Sequence, residues 1–189
     1  GPVRGRGLGG GGGALSPARE PCMAEAGGWG VCGGVVRAAT QLGAVGCYAR
    51  AAARGGWAGL VMASSARSMA YHGARAAGVA TSRIGVAVPG GEHAPLNFDM
   101  ATSVISIGAL AHARDSGEAL AEGLALDSSG DPTTDSSRAL LPLPVGGAQG
   151  SGSAPMFECR SGPMVGGPLL APMLSALPPA DDRACVLSR

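Results

Sequence analysis

Residues 84–114, "IGVAVPGGEHAPLNFDMATSVISIGALAHAR", carry the reading that decides the fold. Ile84–Val88 is a short apolar run rich in β-branched residues, and Pro89-Gly90-Gly91 stops it as turn residues do. Leu96–Asp99 reads as a further strand. Ser103–Arg114 reads as a helix, so the segment predicts strand, turn, strand, helix.

Working outward, the same alternation continues upstream. Val31–Val36 reads as a buried strand weakened by Gly33 and Gly34, and Leu60–Ala63 as another short strand. Between them Ala44, Cys47, Tyr48 and Ala51 recur at helical spacing, Arg50 and Arg54 share a different face, and Gly55-Gly56 ends the helix. A short helix through Met23 and Ala26 precedes these elements. Strands alternating with helices indicate an α/β fold.

The flanks read differently. The first twenty residues, "GPVRGRGLGGGGGALSPARE", are of low complexity and predict a flexible tail, with order beginning near Pro21. Gly7, Gly9 and Gly12 match G-x-G-x-x-G, but no apolar strand leads into them and no helix is expected to open on them, so a doubly wound dinucleotide-binding sheet is not indicated. Asp127–Ser137 is a polar, turn-rich loop. Residues 142–180 mix Gly and Pro at a density that argues against a long helix, with room for a turn at Met156–Cys159. The expected organisation is a tail over 1–20, one domain over 21–180 and a C-terminal tail over 181–189.

Composition narrows the function classes. All 14 basic residues are Arg, the formal net charge is +1, and the charges are spread along the chain, which disfavours a nucleic-acid footprint. Mean hydropathy is +0.22, yet Thr102, Ser103, Ser106 and His112 interrupt the run 101–113, and no window approaches the roughly 20 apolar residues a spanning helix needs. The N-terminus lacks the apolar core of a secretory signal, so a cytoplasmic location is expected. With 34 glycines and aromatics at 3%, a thin core is expected.

Few residues announce chemistry. His72, His93 and His112 are scattered, and Cys22, Cys32, Cys47, Cys159 and Cys185 form no C-x-x-C pair, so no metal site is expected. Thr102 and Ser103 stand where a strand end meets a helix start. There they either cap the helix or, with its free amides, hold a phosphate. Gly146–Ser153, "GGAQGSGS", is either a loop whose backbone approaches a ligand closely or a plain linker.

These segments carry a resemblance. "LNFDMATSVISIG" (96–108) is similar to the strand and D-M-A-T-S signature of the type 2 malate/L-lactate dehydrogenase family. "ALDSSGDPTTD" (125–135) is similar to its A-x-D-x-x-G-x-P-T-x-D loop, and "LLPLPVGGAQGSGSAPMFE" (140–158) to its L-P-x-G-G-x-K-G-x-G-L loop. "GGVVRAATQLGAVGCYARAAARGG" (33–56) stands where the family has V-R-N-S-x-H-F-G-x-x-G-Y-Y. "LVMASSARSMAYHGARAAGVATSRIGVAVP" (60–89) stands where it has M-T-N-S and later T-N-P. From about Ala24 to Leu174, five motifs keep the family's order.

The resemblance implies a mixed-sheet α/β fold of the sulfolactate dehydrogenase-like type and a homodimer. It further implies reversible hydride transfer between NAD or NADP and a small 2-oxo or 2-hydroxy acid, with no nucleic-acid or membrane partner. It places Leu96, Asn97, Phe98, Asp99, Met100, Ala101, Thr102 and Ser103 beside the cofactor, Ala148 and Gln149 on its other side, and Ser65 at the serine of M-T-N-S. The departures are equally specific. Gln41 stands at the position of the family's histidine, a possible acid/base, and cannot exchange a proton near neutral pH. Gln149 replaces the glycine-loop lysine, and Ser82-Arg83 replaces Asn-Pro after Thr81. The family's S-x-x-x-H-G segment is absent from the 189 residues, as in a fragment or divergent copy. The expectation is therefore an impaired dehydrogenase, with a non-catalytic remnant serving a structural or oligomerisation role as the alternative.

Overall fold

The central hairpin is longer than its apolar runs suggest. Residues 83–90 (β5, Arg83–Gly90) and 93–101 (β6, His93–Ala101) pair antiparallel with Arg83 opposite Ala101 and Val86 opposite Phe98. Gly91 turns the chain at φ +64°, a conformation that disfavours side chains. The computed structural model describes residues 12–36, 42–161 and 185–188. Gln41 lies outside them.

Three further strands complete this sheet: β1 (Gly33–Val36), β2 (Gly59–Ala63) and a C-terminal strand at Cys185–Ser188 (β10 in chain order). Their order is β1-β10-β2-β5-β6, and every described pairing is antiparallel, unlike a doubly wound parallel sheet. Helix α1 (Gly12–Trp29) precedes β1, and α2 (Gly46–Arg54) lies across β2 and β5. Their common core holds Leu15, Val36, Val45, Tyr48, Val61 and Ala87.

Small residues let α2 settle onto the sheet. A Cβ at Gly85 would stand 2.8 Å from the Gly46 nitrogen, and one at Gly59 would stand 2.6 Å from the Ala49 carbonyl oxygen. Backbone therefore meets backbone where larger cores place side chains. The scarcity of aromatics is matched by close approach.

A second layer follows. β3 (Met69–Ala70) pairs with β4 (Ala77–Val79), and α3 (Ile107–Ser116) packs Leu110 and Ala113 against Leu120, Ala125 and Ala139. β7 (Ala125–Leu126), β8 (Pro132–Thr133) and β9 (Leu141–Pro142) form a three-stranded sheet in the order β8-β7-β9. α4 (Ala148–Ser161) comes next and carries Pro155 within it.

The α/β alternation holds, and four local expectations are corrected. Residues 12–20 belong to α1, where Leu15 is fully buried, so they are not a flexible tail; residues 1–11 lie outside the described residues. Residues 185–188 pair between β1 and β2 and are not a tail. α3 begins at Ile107 with Ser106 as its N-cap, not at Ser103. Residues 148–161 form a 14-residue helix despite Gly and Pro, because Ala154, Glu158 and Ser161 are buried by packing that outweighs propensity.

Candidate functional site

A cavity of about 480 Å³ opens where four segments converge. The stretch before α2 contributes Leu42 and Gly43, the end of β2 contributes Ala63, Ser64 and Ser65, the start of β5 contributes Arg83, and the first turn of α3 contributes Ser106 and Gly108. Its described lining is rich in hydroxyls and contains neither carboxylate nor imidazole. A cavity of this size suits a small ligand.

The Leu42–Gly46 stretch is fastened at three points. Tyr48 Oη donates to the Leu42 carbonyl at 3.1 Å, Arg83 Nη1 donates to the Gly43 carbonyl at 2.8 Å, and Gly46 N–H donates to Asp99 Oδ2 at 2.8 Å. The last bond supplies α2 with an N-terminal acceptor that its own N-cap, Val45, lacks. Gln41, the position where the family resemblance sets a histidine, directly precedes this stretch in the sequence and lies outside the described residues.

Ser64 is fixed from the opposite side. Its hydroxyl lies 2.7 Å from the Ser161 hydroxyl at the end of α4, and Ser161 Oγ lies 2.8 Å from the Phe157 carbonyl oxygen. Ser65 is exposed on the cavity rim, and its Oγ donates to the Ala66 carbonyl at 3.3 Å. Ser68 also lines the cavity, and its Oγ is buried without a hydrogen-bond partner among the described residues.

The remaining residues singled out from the sequence separate into two groups. Leu96, Asn97, Phe98 and Asp99 lie on β6, the edge strand, where Leu96 is 73% and Phe98 52% exposed, while Met100 and Ala101 are half-buried. Thr102 and Ser103 are buried against the segment entering α4: Val145 N–H donates to the Thr102 carbonyl at 2.9 Å, and Ser103 bridges to Pro144. Neither residue caps α3, since Ser106 Oγ accepts from Ala109 N–H at 3.0 Å. Ala148 and Gln149 are exposed in the first turn of α4, just after Gly146 and Gly147 bend the chain at φ +60°.

Thus Ser65 reaches the cavity, whereas Thr102 and Ser103 meet the glycine bend instead. The hydroxyls of Ser82, Thr102 and Ser103 are buried and lack partners among the described residues. Buried hydroxyls of this kind are usually satisfied, so the cross-strand corner of β5 and β6 keeps unused donors. Among the described residues no three of His, Cys, Asp and Glu lie together as a metal set. His72, His93 and His112 are all exposed.

The sequence pointed to the hydroxyls of Ser64 and Ser65 but not to Arg83, Ser68 or Ser106 as cavity residues. Ser106 was recoverable, because Leu110 and Ala113 keep helical spacing with Ile107 and set the helix start four residues after Ser103, with Ser106 as its cap. Arg83 carried no signal of its own beyond standing where the family has proline.

The loop after β7 is a separate structural element. Asp127 Oδ1 accepts from Ser129 N–H at 2.9 Å and Asp131 N–H at 3.0 Å, and its other oxygen pairs with Arg138. The Asp131 N–H lowers its pKa most, burial opposes this, and the Ser129 N–H and the Arg138 guanidinium lower it further. The carboxylate organises the loop, away from the cavity lining.

Comparison with known proteins places this geometry. The sequence profile described as malate/L-lactate dehydrogenase matches residues 7–185, a longer span than the five motifs indicated. The chain is 34% identical over 158 residues to the Delta(1)-pyrroline-2-carboxylate/Delta(1)-piperideine-2-carboxylate reductase of Pseudomonas putida, covering 82% of this chain and 46% of that protein. It is 34% identical over 133 residues to the L-sulfolactate dehydrogenase of Methanothermobacter thermautotrophicus, covering 69% and 39% respectively. It superposes on the sulfolactate dehydrogenase of Methanocaldococcus jannaschii with a TM-score of 0.78 at 27% identity, covering 96% of this chain and 54% of that one. The fold is accordingly of the sulfolactate dehydrogenase-like type. The chain spans less than half the length of these two curated relatives. No helix among the described residues is long and apolar enough to cross a membrane.

Proposed function

The chain belongs to the malate/L-lactate dehydrogenase family, and from that premise we propose that it binds NAD or NADP together with a small 2-oxo or 2-hydroxy acid and supports hydride transfer between them only weakly. The observation that carries this reading is the cavity in which three family-like segments meet: Leu42-Gly43, Ser64-Ser65 and Thr81. A relative named L-sulfolactate dehydrogenase supports a 2-hydroxy acid substrate, and one named as a reductase of cyclic imine 2-carboxylates shares its carboxylate.

A nicotinamide cofactor fits the residues present. The unpartnered hydroxyls of Ser82, Thr102 and Ser103 offer donors near the glycine bend, and exposed Leu96 and Phe98 offer an apolar surface for a ring. In this reading Leu96 to Ser103, Ser65, Ala148 and Gln149 hold the cofactor, which when bound supplies or accepts the hydride. Gln149 contributes a neutral amide where a lysine would add charge.

The chain's own part is positioning. Arg83, Tyr48 and Asp99 hold the Leu42–Gly46 stretch, and Ser161 holds Ser64, so the cavity walls are set before a ligand arrives. Among the described residues no group lining the cavity is suited to deliver a proton. Gln41 cannot serve as an acid or base, and the described lining provides neither imidazole nor carboxylate. Oxidation of NADH or NADPH in the presence of pyruvate or oxaloacetate tests this directly: the expected rate is barely above background, and turnover at an ordinary enzymatic rate overturns the impairment.

One observation favours a second reading, a non-catalytic role in assembly. Leu96, Phe98 and Val88 expose apolar surface along β6 and its neighbour β5, and an open apolar edge is a surface for another chain. A homodimer formed without cofactor binding would support that reading.

A further inference from the structure

We infer that Arg83 is the carboxylate anchor of this cavity, receiving the acid group of the substrate class proposed above. The inference rests on that reading of the site and adds the residue that would select an acid over its neutral analogue.

Arg83 is the charged residue among the described residues lining the cavity, and no carboxylate lines it. Its Nη1 is committed to the Gly43 carbonyl at 2.8 Å, and among the described residues no Asp or Glu forms an ion pair with the rest of the guanidinium. A guanidinium has five N–H donors in a planar fork, so one bond to a carbonyl fixes its plane and leaves others for a ligand. The carbonyl bond thus makes Arg83 a pre-oriented cation.

The surroundings match a small anion. Ser64 and Ser65 offer hydroxyls, and Ser68 adds a buried Oγ without a partner among the described residues. The first turn of α3 faces the same space. Ser106 Oγ satisfies Ala109 N–H, leaving the Ile107 and Gly108 N–H groups without partners among the described residues. The cavity has room for a small acid beside Arg83, and the comparison with NADH below separates a substrate carboxylate from a cofactor phosphate.

The test compares pyruvate with its neutral amide, pyruvamide, by calorimetric titration of the full chain in the presence of NADH. The wild type is expected to prefer pyruvate. Arg83→Gln is expected to weaken pyruvate by roughly tenfold or more while leaving pyruvamide nearly unchanged, as loss of a charge-assisted pair requires. A variant that weakens both ligands equally assigns Arg83 only to holding Gly43 and overturns the inference. So does a variant that weakens NADH while keeping the preference for pyruvate, which assigns the anion to the cofactor. If NADH binds and neither ligand is discriminated, the anchor fails while the proposed function stands; if neither NADH nor pyruvate binds the wild type, both fail.

Labelling of the wild type with phenylglyoxal, read by peptide mass spectrometry, gives an answer independent of variant folding. Pyruvate but not pyruvamide is expected to protect Arg83, and equal labelling with and without pyruvate contradicts the assignment.

Discussion

Asp99 Oδ2 accepts the Gly46 N–H at 2.8 Å, so a carboxylate on the edge strand β6 caps a helix that begins 53 residues earlier. The bond joins the D-M-A-T-S segment to the stretch that leads from Gln41 into α2. Its aspartate has a structural task here regardless of ligand.

Replacing this carboxylate gives the first prediction. Asp99→Ala should cost about 0.5–2 kcal/mol, the usual range for a lost N-cap acceptor. Asp99→Asn keeps an oxygen acceptor and should cost less. Thermal melts followed by circular dichroism rank the two, and equal stability of Asp99→Ala and wild type would remove the capping role.

Glycines supply the second. Gly85→Ala places a Cβ 2.8 Å from the Gly46 nitrogen, where only backbone can yield, and overpacking of this kind costs about 1–3 kcal/mol. Gly152→Ala, in α4 with nothing within 4 Å of the new methyl, should stabilise by about 0.5–1 kcal/mol through helix propensity. Opposite signs in urea midpoints are expected.

Several features of this fold were legible because they are local. Ile84–Val88 and Leu96–Asp99 carry strand composition around a Pro-Gly-Gly stop, and Gly55-Gly56 ends α2 as read. What could not be read depends on distant partners. α1 and α4 contain glycine and proline that local propensity penalises, yet Leu15 and Ala154 are fully buried by the elements they pack against. The candidate site divides the same way. Ser65, singled out by its motif, lines the cavity, whereas Arg83 acquires meaning only where β5 starts beside Gly43. Thr102 and Ser103 followed the right strand but were assigned to a helix that starts four residues after Ser103, so their burial against Pro144 and Val145 was not foreseen.

Acid sensitivity provides the third prediction. Asp127 has its pKa lowered from 3.8 in the fold, so its contribution to stability is present above the unfolded value and is lost as pH falls through the lower folded value. Asp127→Asn should therefore be less stable than wild type near neutrality. Its stability should also fall less steeply on acidification below about pH 4. Urea unfolding at a series of pH values measures both, and parallel curves for the two proteins would contradict the assignment.

Gln41 gives the fourth. Gln41→His restores an imidazole, whose ordinary pKa is about 6.5, at the position directly before Leu42 in the sequence. Reduction of a 2-oxo acid should rise by up to roughly 10²-fold and acquire a pH dependence in the imidazole range. An unchanged rate with a flat pH profile would separate this position from proton transfer.

Nicotinamide binding underlies the whole functional account, and calorimetric titration of the purified chain with NADH and then NADPH tests it most directly. Saturable binding of at least one of them, weakened by substitution at Thr102 or Ser103 while the fold is retained, is the predicted result. A chain folded by circular dichroism that binds neither would contradict it.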